Sequence, residues 1–269
     1  MIISFDFYWK YTPRNFLEIK NYILNRLFPF IPNEIILDDD YSFDDGIILF
    51  QNVDVTSSDK LSVIITGEAN GKEGRLYLNT FKWINDILIR IHISAEILDQ
   101  KDFDFYQRYI TIEQLFCCFI YNDEDEKWQS ESHISKYERS GLPHSHLPKT
   151  RGRTGEIVVD VSKNWGRSFH LLSIKFVAGG KMFFGGNFYK ILAELILLSS
   201  GGQRVIKGEN ELIEIDLFDL FSTDYAMIRK RQHEFISKTG LFDKLQYLEA
   251  NFIGYNQMLR SLGFGNGIK

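Results

Sequence analysis

Thr12-Pro13 constrains the start of this chain more than any other pair of residues. Before it, Ile2 to Trp9 alternates in part and is rich in strand formers. After it, Phe16, Ile19, Ile23 and Leu27 recur on one helical face. Threonine as a cap followed by proline at the first helical position is a strong helix start. Pro29 and Pro32 stop the helix. The chain therefore opens with a strand and then a helix.

Strand-forming runs dominate the rest of the chain. Residues 47–53, 61–66, 75–81 and 87–94 read as strands, with Gly67 to Gly74 as a turn. Further on, 156–161, 168–177 and 182–184 read the same way. Arg204 to Lys207 and Leu212 to Leu217 form an expected hairpin around Gly208-Glu209-Asn210. Thr111 to Tyr121 is apolar on several sides and is expected to be a buried helix, followed by an acidic turn at Asn122 to Lys127. Thr223 caps an expected helix to Lys238, closed by Gly240, and a last helical stretch runs near Leu245 to Phe252. This order predicts an α+β fold, mostly antiparallel sheet with a few packed helices. No period of about 20 to 50 residues repeats. One domain over 1–269 is expected; an alternative division has two lobes, 1–129 and 156–269, joined by the polar loop 130–155, "SESHISKYERSGLPHSHLPKTRGRTG".

The bulk numbers narrow the function. The 269 residues suffice for a real core, and 23 Phe with 13 Tyr supply burial area and interface anchors. A net charge of −5 argues against nucleic acid as a direct ligand. The two cysteines, Cys117 and Cys118, are adjacent, so no disulfide framework is available and a reducing compartment fits. MIISFDFYWK lacks the basic-then-apolar pattern of a signal peptide. No apolar run approaches the roughly 18 residues a membrane span needs, and Glu194 interrupts the nearest one, Ile191 to Leu198. A cytoplasmic protein with no membrane partner is expected.

Most motifs with chemical potential fall short of a site. Gly179-Gly180-Lys181-Met182 and "GEANGKE" at 67–73 lack the Gly-Lys-Ser/Thr ending of a phosphate loop, and Glu73 would repel phosphate. No cofactor is expected. His144 and His146 form a His-x-His pair that would need a third ligand, such as His133 or Glu138, to hold a metal. His170 sits between Phe169 and Leu171 on an expected strand and reads as a core histidine. "WGRSFH" is not a nucleophile elbow, and Cys117 lies among apolar residues that would leave its thiol inert. Basic residues gather at Arg139, Lys149, Arg151 and Arg153 and at Arg229 to Arg231, without the interleaved aromatics of a single-strand binder. Residues 34–59 hold eight carboxylates and no Lys or Arg.

Two segments carry a resemblance. "FDFYWKYTPRNFLEIKNYI", Phe5 to Ile23, has a strand ending in an aromatic-Trp pair, a proline-bearing turn and an amphipathic helix. "KMFFGGNFYKILAELILLSS", Lys181 to Ser200, has a Met-aromatic-Phe-Gly segment, a short aromatic helix and a Leu-Leu-Ser stretch. Together, about forty residues, they resemble bacterial polymorphic-toxin immunity proteins. The resemblance implies a non-enzymatic protein that binds and neutralises a cognate toxin or effector. It also implies that the glycines set turns while Phe183, Phe184, Phe188 and Tyr189 pack beneath the binding surface. Asp38, Asp39, Asp40, Asp44 and Asp45 are the candidate residues for meeting a basic partner. Two alternatives remain: a metal-dependent hydrolase using the loop histidines, and a regulatory or structural interaction domain.

Overall fold

The first strand lies at the centre of the main sheet. In the computed structural model, which describes residues 1–25, 29–37, 50, 61–83, 86–97, 105–171, 174–185, 197–198, 200–241 and 243, strand β1 spans Ile2–Lys10. It pairs antiparallel with β5 (Asp86–Glu96) on one side and β6 (Leu115–Asn122) on the other. Beyond β5 a meander continues through β4 (Lys72–Trp83), β3 (Ser62–Ala69) and β2 (Ile31–Leu37). Beyond β6 come β11 (Lys181–Gly185), β13 (Asn210–Asp216) and β12 (Gln203–Lys207). The result is a nine-stranded sheet, ordered β12-β13-β11-β6-β1-β5-β4-β3-β2, in which every neighbouring pair is antiparallel. With its helices this is an α+β fold. Chain on both sides of residues 130–155 supplies strands to this one sheet.

Because side chains alternate along a strand, β1 serves two cores. Ile3, Phe5, Phe7 and Trp9 face α1 (Pro13–Leu24) and α2 (Tyr106–Ile110), meeting Phe16, Ile19, Ile23, Tyr106 and Tyr109. Thr12 caps α1 as its sequence requires: its Oγ1 accepts from the Asn15 backbone N at 3.1 Å, and the Asn15 side chain accepts from Thr12 N at 2.9 Å. On the other face Tyr8, Phe119, Tyr121, Met182 and Phe184 pack with Phe176, Phe235 and Ile236. These last come from β10 (Ile174–Phe176) and α5 (Tyr225–Thr239). Strand β10 pairs with β9 (Phe169–Leu171) in a two-stranded sheet. A second ribbon joins β7 (Lys149–Arg151) to β8 (Ile157–Val159).

Several expectations are corrected. The apolar run 111–121 is not a helix: α2 ends at Ile110, and Leu115–Asn122 is β6, buried along nearly all its length because both faces of a central strand are covered. The acidic stretch after it is helix α3 (Asp123–Ser130), capped by Asn122, whose four leading acidic residues suit the positive end of a helix. Residues 130–155 are not structureless; they contain α4 (Ile134–Arg139) and β7. The cap of α5 is Asp224 rather than Thr223, and Gly240 closes it in the left-handed conformation. The hairpin β3–β4 turns only at Asn70-Gly71, both at positive φ. Gly179 and Gly185 have a different task from turning: a Cβ there would stand 2.3 and 2.4 Å from the carbonyl oxygens of Ile120 and Leu115 on neighbouring β6. The stretches 47–53 (Phe50 apart) and 245–252, with Phe188 and Tyr189, lie outside the described residues.

Candidate functional site

The most concentrated chemistry lies on the second face of the sheet, where three polar residues of β1 are fully buried. Ser4, Asp6 and Tyr8 share that face by strand alternation. Register sets Asp6 opposite His92 and Tyr8 opposite Arg90 on β5, and Ser4 opposite Tyr121 on β6. Arg90 donates to Asp6 Oδ1 from Nη2 at 2.7 Å and from Nε at 3.1 Å, and His92 Nδ1 lies 3.2 Å from the same oxygen. Tyr121 donates to Asp6 Oδ2 at 2.6 Å.

The network then leaves the sheet. Lys175 of β10 donates from Nζ to the Tyr121 hydroxyl at 3.1 Å and to Glu126 Oε2 of α3 at 2.8 Å. Ser130 donates to Glu126 Oε1 at 2.7 Å and accepts from the Ser168 backbone N at 2.9 Å. The Lys175 backbone N donates to the Tyr8 hydroxyl at 2.8 Å, and Ser4 Oγ donates to Asp123 Oδ1 at 2.8 Å. Nearby, Arg229 of α5 pairs with Asp125, so this member of the late basic run fastens a helix.

The electrostatics follow from burial and pairing. Burial alone raises the Asp6 carboxyl, but His92 and Arg90 outweigh it and hold Asp6 well below the ordinary carboxylate range. Burial likewise opposes the Arg90 charge, and Asp6 more than restores it. Burial raises Glu126, while Lys175 brings it net below its usual value. Desolvation, then the Asp6 charge, push the Tyr8 and Tyr121 hydroxyls up, so both stay protonated donors. The Asp6 carboxylate faces Arg90, the Glu126 carboxylate faces Lys175, and both oxygens of Asp6 are engaged. Such an arrangement fastens cover to sheet; a group held this way is a poor nucleophile or proton carrier.

The residues singled out from sequence fall in different places. Asp38, Asp39, Asp40, Asp44 and Asp45 lie outside the described residues, in the connection between β2 and β3. His144 Nε2 stands 3.7 Å from Glu138, its Nδ1 is buried without a partner, and His146 is exposed. His133 pairs instead with Glu131, at 3.0 Å. No three His, Cys, Asp or Glu among the described residues are grouped to hold a metal. Ser168 joins Ser130 rather than His170. His170 is exposed on β9, contrary to the expectation of a core histidine. Its imidazole is held below its ordinary pKa by partial desolvation and then by the Lys175 and Arg90 cations. Cys117 and Cys118 are buried and free; burial pushes both thiols up.

The Asp6 network was missed by sequence reasoning. Its one signal is a lone acid inside an apolar strand, "SFDFYW", which demands a buried partner. The partners lie 84, 86 and 115 residues away, beyond any local pattern. No helix among the described residues is long and apolar enough to cross a membrane. In comparisons with known proteins, no family model matches the chain and no curated protein matches it.

Proposed function

We propose that this chain acts by binding a protein partner, as an immunity-type protein that neutralises a cognate toxin or effector, and not by catalysis. The observation that supports this reading is the use made of its reactive groups. Asp6, Arg90, Tyr121, Lys175 and Glu126 are consumed in one ion-pair chain that locks the sheet to its cover. A sheet with large exposed apolar side chains on its edge strands suits a docking protein. Ile31 on edge strand β2 and Ile206 on edge strand β12 are 75% and 81% exposed, placing apolar contact area where a partner can reach it. The acidic sequence after β2, including Asp38, Asp39, Asp40, Asp44 and Asp45, would steer a basic partner by its charge.

The test is co-expression with the product of an adjacent toxin-like reading frame. Growth restored by this chain is expected. Growth that stays arrested despite soluble expression of the chain contradicts the immunity reading.

A further inference from the structure

The β7–β8 ribbon has one covered edge and one open edge. On the β8 side, Val159 N donates to the Ser132 carbonyl at 2.8 Å. On the β7 side no strand is paired among the described residues. The inward bonds fix which backbone groups face out. Asp160 N donates to Pro148 O, and Gly152 N to Glu156 O, both at 2.8 Å. In an antiparallel ladder inward and outward residues alternate, so Pro148, Thr150 and Gly152 turn toward β8. The N–H and C=O groups of Lys149 and Arg151 therefore point outward. Lys149, Thr150 and Arg151 are all exposed.

Charge is one-sided on one face of this ribbon: Lys149, Arg151 and Arg153 alternate onto the face of Ile157, whereas the acids across from them, Glu156 and Asp160, alternate onto the other. From Arg139 to Gly155 the sequence holds four Lys or Arg residues and no acid, in a chain of net charge −5. Lys149 Nζ donates to the His144 and Ser145 carbonyls at 3.4 and 3.2 Å. Arg151 and Arg153 form no ion pair among the described residues. Ile157, cross-strand from Arg151 and so on the same face, is 54% exposed and offers an apolar ledge beside the guanidinium.

We propose that the β7 edge is a docking site for an acidic, extended segment of a partner protein, added as a third strand to the β7–β8 ribbon. The outward groups of Lys149 and Arg151 supply the main-chain hydrogen bonds. Arg151 and Arg153 select carboxylates, and Ile157 receives an apolar side chain from the same face of the incoming strand. An open backbone edge recognises a peptide and not a nucleic acid, because its outward N–H and C=O groups match the main chain of an extended peptide. The inference rests on the partner-binding reading. Its test uses a synthetic peptide, so its failure leaves the growth-rescue result standing on its own.

Amide hydrogen exchange of the full-length chain is measured with an acetylated hexapeptide of alternating valine and glutamate, with its lysine counterpart, and with a single-stranded oligonucleotide. The acidic peptide is expected to slow exchange at Lys149 and Arg151 about tenfold while leaving Thr150, already bonded inward, unchanged. Arg151→Glu should weaken peptide binding about fivefold. Arg151→Pro, which removes an outward N–H that an edge position can spare, should abolish it. Absence of protection in the unsubstituted chain overturns the proposal, whatever the variants do. So does equal binding of the lysine peptide, or binding of the oligonucleotide with the same amide protection. Protection that rises with the concentration of the chain alone assigns the edge to a second copy and also overturns it.

Discussion

The Tyr121 hydroxyl donates to Asp6 at 2.6 Å and accepts from Lys175 at 3.1 Å, and this one oxygen joins the central strand to the cover on its second face. Without Asp6, Arg90 would keep its charge with its main counter-ion gone, on a largely covered surface. Further ties run beside it, from Tyr8 to the Lys175 backbone, from Ser4 to Asp123 and from Lys175 to Glu126.

Asp6→Ala is therefore expected to destabilise the fold by about 3–5 kcal/mol, the usual cost of breaking a buried ion pair on one side. Urea denaturation at neutral pH measures it. A shift below about 1 kcal/mol would show that the network contributes little to stability.

The same carboxylate makes stability depend on pH. Asp6 and Glu126 titrate lower in the folded chain than their ordinary values of about 3.9 and 4.3. A depressed folded pKa gives stabilisation that is complete above the unfolded value and lost as pH falls toward the folded one. Urea midpoints should hold near neutrality and drop from about pH 5 downward, and Asp6→Asn should flatten part of that drop. An identical acid slope in the variant would remove Asp6 from the explanation.

Cys117 and Cys118 are neighbours on β6, so their side chains point into opposite cores and cannot meet. A thiol reagent should label neither in the native protein within minutes and both after unfolding. Rapid labelling of the native chain would contradict their burial.

Phe30 lies over the cross-strand pair Gly67 and Gly74, where a Cβ on Gly74 would stand 2.6 Å from its ring. Gly74→Ala is expected to cost about 1–3 kcal/mol by overpacking, seen as a lower thermal midpoint. Gly67→Ala should cost at least as much, because the obstacle there is the Ile31 carbonyl at 2.1 Å, part of the backbone. A neutral Gly74→Ala would mean that the ring moves aside freely.

Legibility in the sequence tracks how local each signal is. The β1–α1 start is readable because alternation, the Thr12 cap and Pro13 all act within a few residues. The β12–β13 hairpin is readable for the same reason, from its turn at Gly208. Strand β6 is not: "LFCCFIYN" is buried on both faces, so the period that separates strand from helix is absent. Helix α4 and strand β7 are six and three residues long, too short to leave a period among polar neighbours. The Asp6 network depends on the order of strands in the sheet, which brings β5 and β6 to one acid, and on β10 packing over that face. The acidic residues proposed to meet a partner, Asp38 to Asp45, rest on charge pattern alone.

Partner binding is tested most directly by gel filtration of the purified chain mixed with the purified product of the adjacent toxin-like reading frame. A one-to-one complex is expected. The variant with asparagine at Asp38, Asp39, Asp40, Asp44 and Asp45 should form it more slowly and with a flatter salt dependence. Separate elution of the two proteins at micromolar concentration, with the toxin fully active beside the folded chain, contradicts the proposed function.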